Sequence, residues 1–180
     1  KSPELIEHSL DASLGRLGRE RIDIYHVHGI TPPQYSEVRD KVFPVLERMK
    51  EKGKIGSIGI TEMFGTDSGH KMLDRALDDD LWDVIMIGFN MLNFSGRKII
   101  RRAVEREVGV LDMFAVRRAF RTMEELGTYL EKIISDGLLD RGELEKDNPF
   151  TAALESRECV SLADMAYRFC LHEPGMDVVL

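Results

Sequence analysis

The 180-residue sequence lacks the features that would tie it to a membrane, a nucleic acid or an oxidising compartment. No apolar run approaches the roughly 20 residues that span a bilayer, so a protein off the membrane is expected. There is no excess of positive charge: the formal net charge is −7, with basic and acidic residues mixed along the chain. That balance excludes the basic stripe of a nucleic-acid footprint and points to small molecules or proteins as partners. Cysteine is scarce. Cys159 and Cys170 lie near one end without CxxC spacing and with no secretory signal ahead of them, so reduced thiols in a cytoplasmic protein are expected. No Walker A or GxGxxG turn follows any strand and no GxSxG elbow is present, which removes phosphate-cradling glycine loops and a nucleophilic serine elbow. The chain opens Lys1-Ser2-Pro3-Glu4 without an initiator methionine, leaving a processed chain and an internal fragment both open.

What is present is a regular alternation. Ser2 as N-cap and Pro3 at the first helical position precede an apolar stripe of Leu5, Ile6, Leu10, Leu14 and Leu17. A strand follows, Arg21 to His28, rich in β-branched and aromatic residues. Val38, Val42, Val45, Leu46 and Met49 then form a helical stripe that Pro44 should kink or restart. The glycine-rich strand Lys54 to Ile60 comes next, followed directly by Thr61 and Glu62. Asp67 or Ser68 can cap a helix burying Met72, Leu73, Ala76 and Leu77. Trp82 to Asn90 reads as a strand covered on both faces, Ser95 opens a helix through Ile99, Ile100, Ala103 and Val104, and Gly109 to Ala115 is the next strand. Thr122 with Glu125 makes a capping box for a helix that interrupts the rhythm, and Asp140 to Glu158 reads as loop with local turns. Ser161 and Asp164 begin a helix that Pro174-Gly175 breaks before a final strand, Met176 to Leu180.

Helices of crossover length between strands mean an α/β fold with right-handed βαβ units and a parallel sheet. An open doubly wound sheet and a closed eight-stranded barrel both fit, and both gather ligands at the carboxyl ends of the strands. His28, Thr61, Glu62, Asn90 and Phe114 would meet there. His26 and His28 share one face of their strand, so two imidazoles point the same way. An HxH pair of this kind also serves metal-dependent hydrolases, but a catalytic metal needs about three protein ligands, and of the other candidates only Glu62 ends a strand. The Arg117-Arg118 pair could clamp a phosphate or carboxylate, and Phe114 could stack on a flat ring.

The ordered motifs resemble those of the aldo-keto reductases. The resemblance runs through Leu14-Gly15-Arg16-Leu17-Gly18, Ile22-Asp23-Ile24-Tyr25-His26-Val27-His28, Gly53-Lys54-Ile55-Gly56-Ser57-Ile58-Gly59-Ile60, Asp83 to Asn90, Gly109-Val110, and Ala163 to Pro174. It implies a partial (β/α)8 barrel, with residues 1–180 forming a single incomplete domain of about strands four to eight, without the first three strands or the C-terminal cofactor loop. It further implies an extended NADP or NAD across the strand ends and hydride transfer to an aldehyde, ketone or sugar carbonyl. His28 aligns with the histidine that orients that carbonyl, and His26 with a packing position one layer deeper. Thr61 and Glu62 stand where the family has the Ser-Asn pair holding the nicotinamide carboxamide, and Met86 where it has a glutamine. Phe114 matches the aromatic that stacks on the nicotinamide, and Arg117 the vicinity of the pyrophosphate. No residue here matches the family's tyrosine acid or its Asp and Lys partners, so no turnover is expected of this piece alone, and its open sheet edges should pair or aggregate. Because glutamate only accepts hydrogen bonds and Met86 cannot replace a glutamine's, a non-catalytic barrel that binds ligands is the alternative.

Overall fold

The computed structural model describes residues 3–143, 150–156 and 159–180. Ser2, expected as the first N-cap, lies outside the described residues.

Helix α1 (Pro3–Leu17) buries Ile6, Leu10 and Leu14, four residues apart on one face, while Leu5 and Leu17 stay exposed. The expected stripe is therefore narrower, because one sheet edge gives α1 a partner on one side only. Strand β1 (Ile22–Ile30) follows, then an almost unbroken helical path. That path comprises a 3-10 turn (Pro32–Gln34), α2 (Tyr35–Glu37), a π-helical segment (Val38–Val42) and α3 (Phe43–Glu51). Pro44 lacks an N–H and its ring crowds the carbonyl four residues back, and the widened π turn immediately before it is where the chain absorbs both.

Strands β2 (Ile55–Glu62), β3 (Val84–Gly88), β4 (Gly109–Met113) and β5 (Val178–Val179) complete a five-stranded, all-parallel sheet in the order β1-β2-β3-β4-β5. Between them lie α4 (Lys71–Ala76), α5 (Arg97–Glu105), α6 (Met123–Ser135), α7 (Thr151–Glu155) and α8 (Leu162–Leu171). Sequential neighbours that are parallel and joined through helices form the winding of a closing barrel rather than of a doubly wound sheet, whose order reverses.

The core sits between the sheet and its helices. Ile58, Ile60, Ile85, Ile87 and Val110 project from the outer face against Leu46, Met49, Met72, Leu73, Ile99 and Ile100. The opposite, inner face carries Ser57, Gly59, Thr61, Met86 and Leu111, and Met86 and Leu111 there are only half-buried. Cover on both faces, expected for Trp82 to Asn90, is thus complete on the outer side alone. A satellite cluster of Phe120, Leu126, Leu130, Leu162 and Ala166 joins α6 to α8, which explains the helix that broke the alternation.

Caps fall close to their expected places. Thr122 Oγ1 accepts from the Glu125 N–H at 3.1 Å and Ser161 Oγ from the Asp164 N–H at 3.0 Å. For α4 it is Asp67, whose two carboxylate oxygens accept from the Lys71 and Met72 N–H groups. Helix α5 begins at Arg97 rather than Ser95, because the Ser95 hydroxyl is engaged elsewhere. Within Asp140–Glu158, expected to be loop, the chain forms a 3-10 turn (Arg141–Glu143) and α7, and residues 144–149 and 157–158 lie outside the described residues.

Candidate functional site

Strand β1 does not stop at His28 as its sequence indicates. The ladder to β2 shifts register between Val27 and Ile30, and Gly29 adopts φ 68°, a left-handed conformation that glycine takes without a Cβ penalty. The displaced Gly29 N–H donates to Thr61 Oγ1 at 2.7 Å. His28 sits on this bulge, exposed, with no hydrogen-bond partner among the described residues. His26, one layer below, is half-buried over Gly59, where a Cβ would run into its ring, and its Nδ1 is buried without a partner. Burial, and then the neighbouring His28, lower its pKa. A cavity of about 480 Å³ opens along the β1 edge, where Tyr25 and Val27 face Ile6, Val38 and Leu46 of the helices, and His26 and His28 border it. Among the described residues no three His, Cys, Asp or Glu groups gather to hold a metal ion.

Thr61 and Glu62 belong to β2 and point to opposite sides of the sheet. Thr61 pairs in register with Met86 on the inner face, the face of His26. Thr61 is buried, and its oxygen accepts from the Gly29 N–H. Glu62 lies in the layer under α4, 3% exposed, and its carboxylate faces His70 Nδ1 at 3.0 Å through both oxygens while Oε1 accepts the Gly88 N–H at 2.8 Å. Burial raises its pKa against the opposing pull of those hydrogen bonds. The structure therefore brings Thr61 and Met86 to the candidate site and turns Glu62 away from it.

Beyond β4, Phe114 is 41% exposed at φ 77°, a strained conformation for an aromatic residue. The Arg117 guanidinium lies 4.6 Å above its ring and 5.8 Å from Phe64, and the two rings are 5.8 Å apart. Arg118, by contrast, pairs with Glu125 at 3.2 Å and leaves Arg117 as the freer cation. Asn90 braces the turn: its Nδ2 donates to Phe114 O and its Oδ1 accepts from the Leu92 and Asn93 N–H groups. Phe64, Asn90, Asn93, Arg117 and Tyr129 line a second cavity of about 280 Å³.

Sequence reasoning missed Phe64, His70 and Ser95. His70 precedes α4 in the left-handed conformation, φ 58°, between the Asp67 cap and the helix it caps. For a dinucleotide, Phe114 offers a flat face, Arg117 a phosphate partner and Thr61 a hydroxyl. These residues fit such a group at its ring and its phosphates, and Glu62 does not contribute.

Comparison with known proteins bears on the family and the fold. The model of the Aldo/keto reductase family matches residues 1–180. L-galactose dehydrogenase of Arabidopsis thaliana is 37% identical over 60 residues, 33% of this chain and 19% of that protein. The NADH-specific methylglyoxal reductase of Escherichia coli K12 is 34% identical over 95 residues, 44% of this chain and 29% of that protein. Among solved structures, the holo form of aldo-keto reductase AKR11C1 from Bacillus halodurans superposes with a TM-score of 0.67 at 21% identity, over 99% of this chain and 56% of that one. The chain thus spans about half of that barrel and a smaller share of the curated relatives. Its five parallel strands are part of a (β/α)8 barrel, and the chain belongs to the aldo/keto reductase family.

Proposed function

We propose that the intact protein is a carbonyl reductase of aldo-keto reductase type, using NADPH or NADH to interconvert an aldehyde, ketone or sugar with its alcohol. The observation that carries this reading is His28, exposed on the β1 bulge beside Thr61 and without a hydrogen-bond partner among the described residues. The cofactor, when bound, supplies the hydride. The chain's own residues do the rest. Phe114 presents a ring for the nicotinamide to lie against, held over β4 by Asn90 and Arg117. Arg117 meets phosphate charge. Thr61, its oxygen taken by the Gly29 N–H, and the half-buried Met86 beside it form the floor of the inner face. His28 orients the carbonyl by a hydrogen bond, which polarises it where negative charge develops. His26 packs beneath His28 and fixes the level at which it stands.

The tyrosine that protonates the oxygen, with its Asp and Lys, has no counterpart in these 180 residues, so this chain by itself is expected to turn nothing over. A binding barrel without catalysis is the second reading. It loses part of its motive because Glu62 is engaged with His70 and does not intrude on the cofactor face. The test is oxidation of NADPH and NADH by the full-length protein against a panel of aldehydes, ketones and sugars. Carbonyl-dependent oxidation supports the reductase, and cofactor binding without turnover across the panel supports the binding barrel.

A further inference from the structure

Glu62, His70 and Ser95 form a hydrogen-bonded series that none of the chemistry above uses. His70 Nδ1 faces the Glu62 carboxylate and Nε2 lies 2.9 Å from Ser95 Oγ, an order of groups that superficially matches a nucleophilic triad. The proton directions say otherwise. Ser95 Oγ is also 2.6 Å from Asn93 Oδ1 and 3.0 Å from the Ser68 carbonyl. Asn93 Oδ1 already accepts from the Ser95 N–H at 3.1 Å, so it is the carbonyl end of that amide. Both neighbours are acceptors, and the hydroxyl's single proton goes to one of them. The remaining contact is then a hydrogen bond from His70 Nε2–H to Ser95 Oγ. On the ring's other side, one proton is shared between Nδ1 and Glu62. The ring is saturated, donates toward Ser95, and is not a base for it.

What this series joins is the loop after β2 to the loop after β3. Phe64 packs on Gly88, where a Cβ would strike its ring, and lies 5.9 Å from the His70 ring and beside Phe114 and Arg117. Asn93, bonded to Ser95, lines the same cavity. We propose that His70 is a positioning residue for the cofactor rim: locked by Glu62 and donating to Ser95, it holds Phe64 and Asn93 in the walls around Arg117. In this chain the carboxylate that stands where the family has a carboxamide ligand has been turned to that purpose. The proposal rests on the reading of the site as a dinucleotide rim.

The test uses the full-length protein. Long-range proton–nitrogen spectra at pH 7 should show His70 Nε2 protonated, and Ser95→Ala should shift the Phe64 and Asn93 amide resonances. In fluorescence titrations with NADPH and NADH, His70→Leu and Glu62→Leu should bind about tenfold more weakly, a coupling of ordinary size. Glu62→Gln should bind within about twofold of wild type, because its amide still accepts from Gly88 and still holds the ring. If the Leu variants do not fold, Ser95→Ala, which leaves the buried pair intact, should weaken binding in the same direction. An unprotonated Nε2, unchanged titrations in folded His70→Leu, or hydrolysis of p-nitrophenyl acetate that disappears in Ser95→Ala would each overturn the proposal. Should the wild type bind neither nucleotide, the reductase reading fails, and the spectra still decide the proton arrangement.

Discussion

His28 and His70 both stand at the carboxyl edge of the sheet, in opposite surroundings. His70 is 1% exposed, with a carboxylate on one nitrogen and a serine on the other. His28 is exposed on a strand bulge with both nitrogens unclaimed among the described residues. Every hydrogen-bonding position that folding fills is one a substrate cannot use. The difference sets a histidine saturated by the fold against one left open to a ligand, although the two residues are the same and lie at neighbouring strand ends.

The comparison breaks most visibly on the His70 side. Glu62→Leu leaves the Gly88 N–H and the His70 ring buried without their acceptor, and should cost about 3–5 kcal/mol in denaturant unfolding of the full-length protein. A loss below about 1 kcal/mol would mean that the carboxylate is not buried in this pair.

A second buried carboxyl sharpens the same contrast through pH. Asp112 on β4 is fully buried, accepts from the Phe89 N–H at 3.0 Å, and has its pKa pushed up to about 7 from 3.8, chiefly by burial. Burial pushes the thiol of its neighbour Cys170 up as well, so neither group ionises readily there. The folded protein holds the Asp112 proton more tightly than the unfolded chain does. Its stabilising effect is complete below about pH 4 and is lost as pH rises through about 7, by at most about 1.4 kcal/mol per pH unit. Denaturant midpoints between pH 4 and 8 should show that fall, and Asp112→Asn, which keeps the acceptor for Phe89, should flatten it. A smaller effect is expected at Gly59, where the added Cβ of Gly59→Ala meets the His26 ring. It should cost about 1–3 kcal/mol and displace His26 while leaving the His70 resonances unchanged.

Most of the architecture was legible because hydrophobic period, capping residues and glycine stops act locally. The stripe through Ile6, Leu10 and Leu14, the Thr122 cap and the Ser161 cap each need only a few neighbouring residues. The arrangement of strand ends was legible only in part. Strand alternation already separates Thr61 from Glu62, yet which of them faces the ligand depends on which side of the sheet the helices cover. His70 was beyond reach for a related reason: its partners are eight and 25 residues away, and only the folded sheet brings them together. Asp112 reads locally as one polar residue in an apolar strand. Its burial follows from α8, which arrives more than forty residues later.

The most direct measurement of the central claim is the pair of constants for His28→Ala in the full-length protein: turnover of a carbonyl substrate, and affinity for the cofactor in a fluorescence titration. Turnover should fall by about 10²-fold, at the low end of what a positioned acid–base group contributes, with cofactor affinity unchanged within about twofold. Unchanged turnover would contradict the claim and remove His28 from the reaction.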